Sequence, residues 1–378
     1  MIKRSCPKYK IFHTLLQLLF FFLIMMNQSC HVGRYFYYNY ADINDHKKFT
    51  SKPVRTGEEP FSFYENLKPH KNLDLTLHGN EEESLNSFLS KNETVAFLIV
   101  KSDTLVYEEY FMGYDRSSIV PVFSVVKSFV SALMGISISK GYIHSVQDTI
   151  GQYLPEIRGK GFESLTLENL LDMRSGIQFE EKYNSPFGGM AKFYYGTNLK
   201  KYIQQLKPEE KAGQKYSYQS VNTLLITQAI ENASNASIAV LLEEEIWKPL
   251  GMQYDASWSV DSEKHLTIKS FCCLNTTAID LARFGRLYLH QGNWNGKQII
   301  SKDWINSSLT IHNDSRDSQG YPYSHFWRVK EDGAFFAKGI LGQYLYVDPN
   351  KDLIIVRLGK SSNDIDWPAF FETISKLI

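Results

Sequence analysis

The chain has 378 residues, enough for one large domain or two closely packed ones. Hydrophobic residues make up 43% and charged residues 22%, which excludes disorder on the scale of the whole chain. Lysine plus arginine and aspartate plus glutamate number 41 each, so the chain lacks the basic excess that a nucleic-acid partner asks for.

The N-terminus reads differently from the rest. Lys3, Arg4, Lys8 and Lys10 precede an apolar run from Ile11 to Met26, broken only by His13, Thr14 and Gln17. The run is shorter than the ~20 residues of a spanning helix, and its flanks are those of a secretory signal. It ends in Asn27-Gln28-Ser29-Cys30, which resembles a bacterial lipoprotein cleavage site, although Asn27 stands where an aliphatic residue is usual. The expectation is a leader over residues 1–30, lipid on Cys30, and a protein exported to the periplasmic face of a bacterial membrane. An uncleaved anchor, or a simply cleaved signal that leaves a soluble periplasmic or secreted protein, is the alternative.

Cys6 then leaves with the leader, and only Cys272 and Cys273 remain free of it. A disulfide wants its Cα atoms about 5.5–6 Å apart, so neighbours rarely bridge and no structural disulfide is expected. The 10 histidines are scattered, with no HExxH and no zinc spacing, so neither a metal nor another cofactor is expected.

Residues 31–80 read as a tether and a segment draped over the main body, and residues 81–378 as the main domain. Glu82 to Leu89 looks helical. Thr94 to Val100 and Thr104 to Tyr107 form a hairpin across Lys101-Ser102-Asp103. Ser128 to Ile138 is apolar at helical spacing and stops at Lys140-Gly141. Thr166 to Leu171 is a capped helix start, Ser220 to Lys248 holds helical runs ended by Pro249, and Asp280 to Leu289 is another helix. Strands return at Gln343 to Val347 and Leu353 to Val356, and a last helix begins near Trp367. Strands early, helices in the middle and strands late imply an α+β fold. An antiparallel sheet is built from both chain ends (about 81–123 and 275–378), with an inserted, mainly helical part (about 124–274) and a cleft between them.

Ser124-Val125-Val126-Lys127 opens the first long helix, and i, i+3 spacing puts serine and lysine on one face. A helix N-terminus offers free N–H groups and a positive dipole end to a developing oxyanion. A neighbouring amine can take the hydroxyl proton, provided it is uncharged. Alone, the pair is equally well an N-cap serine and a surface lysine. Ser137-Ile138-Ser139-Lys140 repeats the pattern, but where the helix is ending.

Further blocks change that balance. Phe123 to Ser128 with Gly135 to Gly141 resembles the first motif of the serine β-lactamase-like family, in its class C and penicillin-binding-protein-like branch. Leu167 to Gly176, Ala212 to Ser220, Asn275 to Gly285, and Ala337 to Gln343 with Val347-Asp348-Pro349 are similar to later blocks of that family, in its order. Tyr218-Gln219-Ser220, Phe179 to Tyr183 and Gly339 to Gln343 look most like the members that hydrolyse 6-aminohexanoate dimers and related esters.

The resemblance implies a β-lactamase/transpeptidase-like fold and a serine hydrolase for amide or ester bonds of small molecules. Ser124 would be the nucleophile, Lys127 its base and Tyr218 the proton relay. The backbone N–H groups of Ser124 and Ile340 would form the oxyanion hole, and Tyr183 and Gly339 would meet the substrate. Penicillin-directed members carry a third-motif lysine where Ala337 stands here, and Lys338, one residue along a strand, should face the other way. A β-lactamase or D-Ala-D-Ala peptidase is therefore a lesser reading, as is a low-turnover penicillin-binding sensor. The expected partners are a small substrate and, through the lipid anchor, a membrane.

Overall fold

A computed structural model describes residues 31–67, 74–76 and 82–378, with His13 and Gln17; the rest of the expected leader, Cys30 included, lies outside the described residues. The helices that matter here are α1 (His31–Tyr38), α2 (Leu85–Lys91), α3 (Val126–Ser139), α4 (Gly189–Tyr195), α5 (Val221–Ser234), α6 (Ala278–Leu289) and α7 (Trp367–Leu377). The principal strands are β1 (Ser51–Val54), β2 (Thr94–Lys101), β3 (Thr104–Tyr110), β4 (Phe335–Gly339), β5 (Gln343–Asp348) and β6 (Leu353–Gly359).

The main sheet runs Tyr323–Ser324, Trp327–Val329, β4, β5, β6, β2, β3, Tyr64–Glu65. Every pairing is antiparallel except the last, so strands from the two chain ends meet where β6 pairs with β2. This is the sheet expected from the sequence, and the fold is α+β. Alternation decides which core each residue joins. In β2, Ala96, Leu98 and Val100 enter the larger core with α3 and α6, whereas Phe97 and Ile99 enter a smaller one with α2 and α7. Both faces are covered, which is why Thr94 to Val100 reads as an unbroken apolar run rather than an alternating one.

α3 crosses the centre of the larger core and is buried from Val126 to Ser137. Ser137 turns its hydroxyl back onto the Leu133 carbonyl at 2.7 Å and Lys140 pairs with Glu245 at the surface, so the second Ser-x-x-Lys match is structural. At Thr166 the anticipated cap is a capping box with Asn169. The helix read over Glu82 to Leu89 begins later: residues 82–84 form a short strand, and Ser84 caps α2 by accepting from Ser87 N at 3.2 Å. No helix among the described residues is long and apolar enough to cross a membrane.

A second, four-stranded antiparallel sheet, in the order β1, Ala256–Ser259, Leu274–Thr276, Val120–Pro121, draws the N-terminal segment onto the body. The segment is fixed there by polar bonds as well. Tyr194 OH donates to Asp45, Tyr195 OH to the Asn39 carbonyl, and the wholly buried Lys269 donates to the Tyr194 carbonyl at 2.6 Å beneath the Phe49 ring. Burial among these groups drives the Lys269 amine well below its ordinary range.

Candidate active site

The site begins at the end of the second sheet. Val122 N donates to the Leu274 carbonyl at 2.9 Å, and the chain then tightens into the turn Phe123–Val125 before α3. Phe123 is held at φ 46° although fully buried, a strained conformation that only a surrounding fold can impose. That turn sets Ser124 on a cavity wall. Lys127, one turn on and 1% exposed, donates through Nζ to Ser124 Oγ at 2.9 Å and to the Phe271 carbonyl at 2.7 Å.

Tyr218 closes the group: Lys127 Nζ stands 5.2 Å from its ring centroid. The ring meets Tyr323 edge-on at 6.1 Å, and the buried Arg328 guanidinium lies 5.8 Å away, itself bonded to Asp317 at 2.6 Å. Gln219 fixes the backbone beside it by donating to the Ile177 carbonyl at 2.7 Å and accepting from Ser175 at 3.1 Å. The structure therefore brings Ser124, Lys127 and Tyr218 together.

The cavity measures about 270 Å³. Phe123, Tyr194, Phe271, Ile340 and Leu341 give it apolar walls, Ser124 and Ser220 supply hydroxyls, and no charged side chain is among its lining residues. Tyr40 and Ala41, from the segment read as a tether, complete one side. Residues 124 and 340, whose N–H groups were the expected oxyanion donors, both line it. Ile340 is followed by Leu341 at φ 62°, so strain accompanies each donor position.

The loop carrying Ile340 is pinned from behind. Arg357 Nη1 donates to the Gly342 carbonyl at 2.6 Å and Gln343 Nε2 to the Leu341 carbonyl at 3.3 Å. A Cβ on Gly339 would come within 2.5 Å of the Val122 carbonyl, so glycine is what lets β4 approach the nucleophile turn. Gly339 thus stands behind the wall rather than in it. Ala337 joins the larger core, while Lys338 points the other way, to Gln319 Oε1 at 2.7 Å and over Tyr344 at 5.9 Å. Facing away is what strand alternation requires.

Tyr183 lies at the cavity edge, with its hydroxyl 2.7 Å from Glu181. Glu181 also accepts from Ser220 N at 2.8 Å and Ser220 Oγ at 2.6 Å. Burial first, and the Glu181 charge second, push the Tyr183 phenol far above its usual range. Glu181 was not singled out from the sequence; its only signal was its place two residues before Tyr183. Asp172 and His325 were missed as well. Asp172, within the block Leu167 to Gly176, accepts from His325 N at 2.8 Å.

Cys272 and Cys273 depart from expectation: they form a disulfide. Their Cα atoms are 3.7 Å apart, yet Cys273 takes φ 68°, a left-handed turn that brings both sulfurs to one side. Cys272 lines the cavity, directly after the Phe271 carbonyl that receives Lys127. Among the described residues no group of three or more His, Cys, Asp or Glu has the geometry to hold a metal ion.

The beta-lactamase family model matches residues 89–366. The chain belongs to the beta-lactamase family. Within this hydrolase family, the 6-aminohexanoate-dimer hydrolase of Paenarthrobacter ureafaciens is 25% identical over 301 residues, 74% of either chain. A Bacillus anthracis protein described as a candidate 6-aminohexanoate-dimer hydrolase superposes with a TM-score of 0.77 at 25% identity, over 87% of this chain and 90% of its own. A class C beta-lactamase solved with cefoxitin gives 0.60 at 16% identity over 77% and 96%, a likeness of fold alone. The β-lactamase/transpeptidase-like fold is thereby established for this family member.

Proposed function

We propose that the protein is a serine hydrolase for ester or amide bonds of small, uncharged molecules. The observation that carries this reading is the 2.9 Å contact of Lys127 Nζ with Ser124 Oγ at the wall of an apolar cavity. Lys127 takes the hydroxyl proton as Ser124 Oγ bonds to the substrate carbonyl carbon. The carbonyl oxygen gathers charge against the N–H groups of Ser124 and Ile340, each such donor being worth about 2.7–4 kcal/mol. The carbon–oxygen or carbon–nitrogen bond breaks, and Tyr218 passes a proton to the leaving alkoxide or amine. Water then adds to the acyl-enzyme, releasing the carboxylic acid and returning the proton to Ser124.

What supports esters and amides over β-lactams is the missing cation: Ala337 stands in the third motif and Lys338 faces away. The lining also lacks a charge for the amino and carboxylate ends of a 6-aminohexanoate dimer, so that compound is the weaker candidate substrate. Export, with lipid on Cys30, belongs to the same proposal; its support is the basic start, the apolar run and the Ser29-Cys30 step.

The test is hydrolysis of p-nitrophenyl butyrate by purified wild type and Ser124→Ala. The proposal expects turnover by the first and background from the second; equal rates remove Ser124 from its role.

A further inference from the structure

Five large apolar side chains among the described residues are at least 60% exposed: Phe36 at 70%, Tyr37 at 69%, Tyr40 at 60%, Tyr64 at 78% and Phe187 at 80%. Four of them, all but Tyr64, stand on two segments that supply lining residues to the cavity. Phe36 and Tyr37 are on α1, and Tyr40 follows it and lines the cavity. Tyr35 ties these together, its ring 5.6 Å from Phe36, 6.0 Å from Tyr40 and 5.4 Å from the cavity residue Tyr195. Phe187 is in the loop between the cavity residue Tyr183 and α4, which supplies Met190, Ala191 and Tyr194 to the wall.

Aromatic side chains left in water on segments that line a cavity mark a surface that meets an apolar partner. The chain itself indicates which partner. The proposed lipid is on Cys30, the residue directly before α1. A chain held to a bilayer at that point has α1 at the lipid surface. Phenylalanine and tyrosine are the residue types that settle at the boundary of headgroups and acyl chains.

We infer that the cavity side at Tyr40, with the exposed Phe36, Tyr37 and Phe187 on the segments that also supply lining residues, lies against the lipid bilayer and takes its substrates from there, as apolar esters or amides dissolved in the membrane. The inference rests on the proposed hydrolase and on its membrane attachment. A cavity with no charged side chain in its lining receives an acyl chain from lipid without its crossing water.

The full-length, membrane-bound chain in phosphatidylcholine and phosphatidylglycerol vesicles provides the test. Hydrolysis of p-nitrophenyl palmitate dissolved in the bilayer is compared with that of p-nitrophenyl acetate in the water phase. The variant is Phe36→Ser with Tyr37→Ser and Phe187→Ser. The expected result is a fall of about tenfold in kcat/KM on the palmitate ester, with acetate hydrolysis unchanged. Amide exchange over residues 31–40 and 183–187 is expected to be slowed by vesicles in the wild type and less so in the variant. Palmitate hydrolysis that survives the substitutions overturns the inference, as does an equal fall on both esters. Wild type that cleaves acetate but not palmitate overturns it while leaving the hydrolase reading intact. Wild type inert on both esters overturns the two together, and wild type that does not sediment with vesicles removes the membrane attachment. Exchange protection that follows protein concentration rather than lipid assigns these exposed aromatic side chains to a second copy of the chain and overturns the inference too.

Discussion

Lys127 reaches a hydroxyl and a carbonyl oxygen, and its chemistry is separable from its packing. Lys127→Met keeps the buried stem and removes the amine. It is expected to fold normally and to lower kcat/KM on p-nitrophenyl butyrate by about 10³-fold or more, read against a thermal melt of the same sample. Asp172 and His325 make a different forecast. Burial raises the Asp172 carboxyl from 3.8 to about 6 and lowers the His325 imidazole from 6.5 to about 4. Asp172 therefore stabilises the fold below pH 3.8 and loses that contribution as pH rises through about 6. His325 contributes above pH 6.5 and loses it as pH falls toward about 4. The two slopes oppose each other in the wild type. Asp172→Asn should leave the histidine slope alone, so that stability drops on acidification by on the order of 2 kcal/mol; His325→Gln should show the reverse dependence. Urea midpoints at several pH values measure both. At this scale the sequence was legible for the contact of Ser124 with Lys127, which i, i+3 spacing puts on one face, while Tyr218 beside them was implied by the resemblance alone. It was opaque where a role comes only from folding: Glu181 and Arg357 look like ordinary surface charges until their partners, Ser220 and the Gly342 carbonyl, are brought to them.

The elements that hold the site meet with little clearance. Gly339→Ala puts a methyl against the Val122 carbonyl, where it must move β4 or the nucleophile turn. The expected cost is about 2 kcal/mol of stability or more, with a loss of activity beyond what the residual folded fraction explains. Normal activity with normal melting would show that β4 can retreat freely. The elements were mostly readable from periodicity, because β2 and α3 carry long apolar runs and Thr166 a cap. Two were not. Residues 82–84 are a strand because they pair with Asp74–Thr76, a neighbouring segment that was not read as a strand. The Cys272–Cys273 bridge depends on the left-handed turn at Cys273, and two adjacent cysteines give no sign of backbone hand.

At the scale of the molecule, function depends on a cleft shared by three parts of the chain. The sheet supplies Ile340, the helical part Ser124 and Tyr183, and the N-terminal segment Tyr40 and Ala41. The first two were expected to meet, since strands at both ends with helices between leave a cleft. The third belongs to residues 31–80, read as a tether and a segment draped over the main body; bonds to Tyr194 and Tyr195 on α4 hold it there. An uncharged lining should discriminate strongly by charge. Esters of butyrate and hexanoate are expected to exceed the corresponding succinate half-ester by about 10²-fold in kcat/KM, since a buried unpaired carboxylate is costly. The central claim, that acyl transfer passes through Ser124, is met most directly by mass spectrometry of the protein quenched during turnover of an activated ester. The account predicts one acyl group, on the peptide containing Ser124 and absent from Ser124→Ala. Steady ester turnover with the acyl group on another residue, or the same adduct in Ser124→Ala, would contradict it.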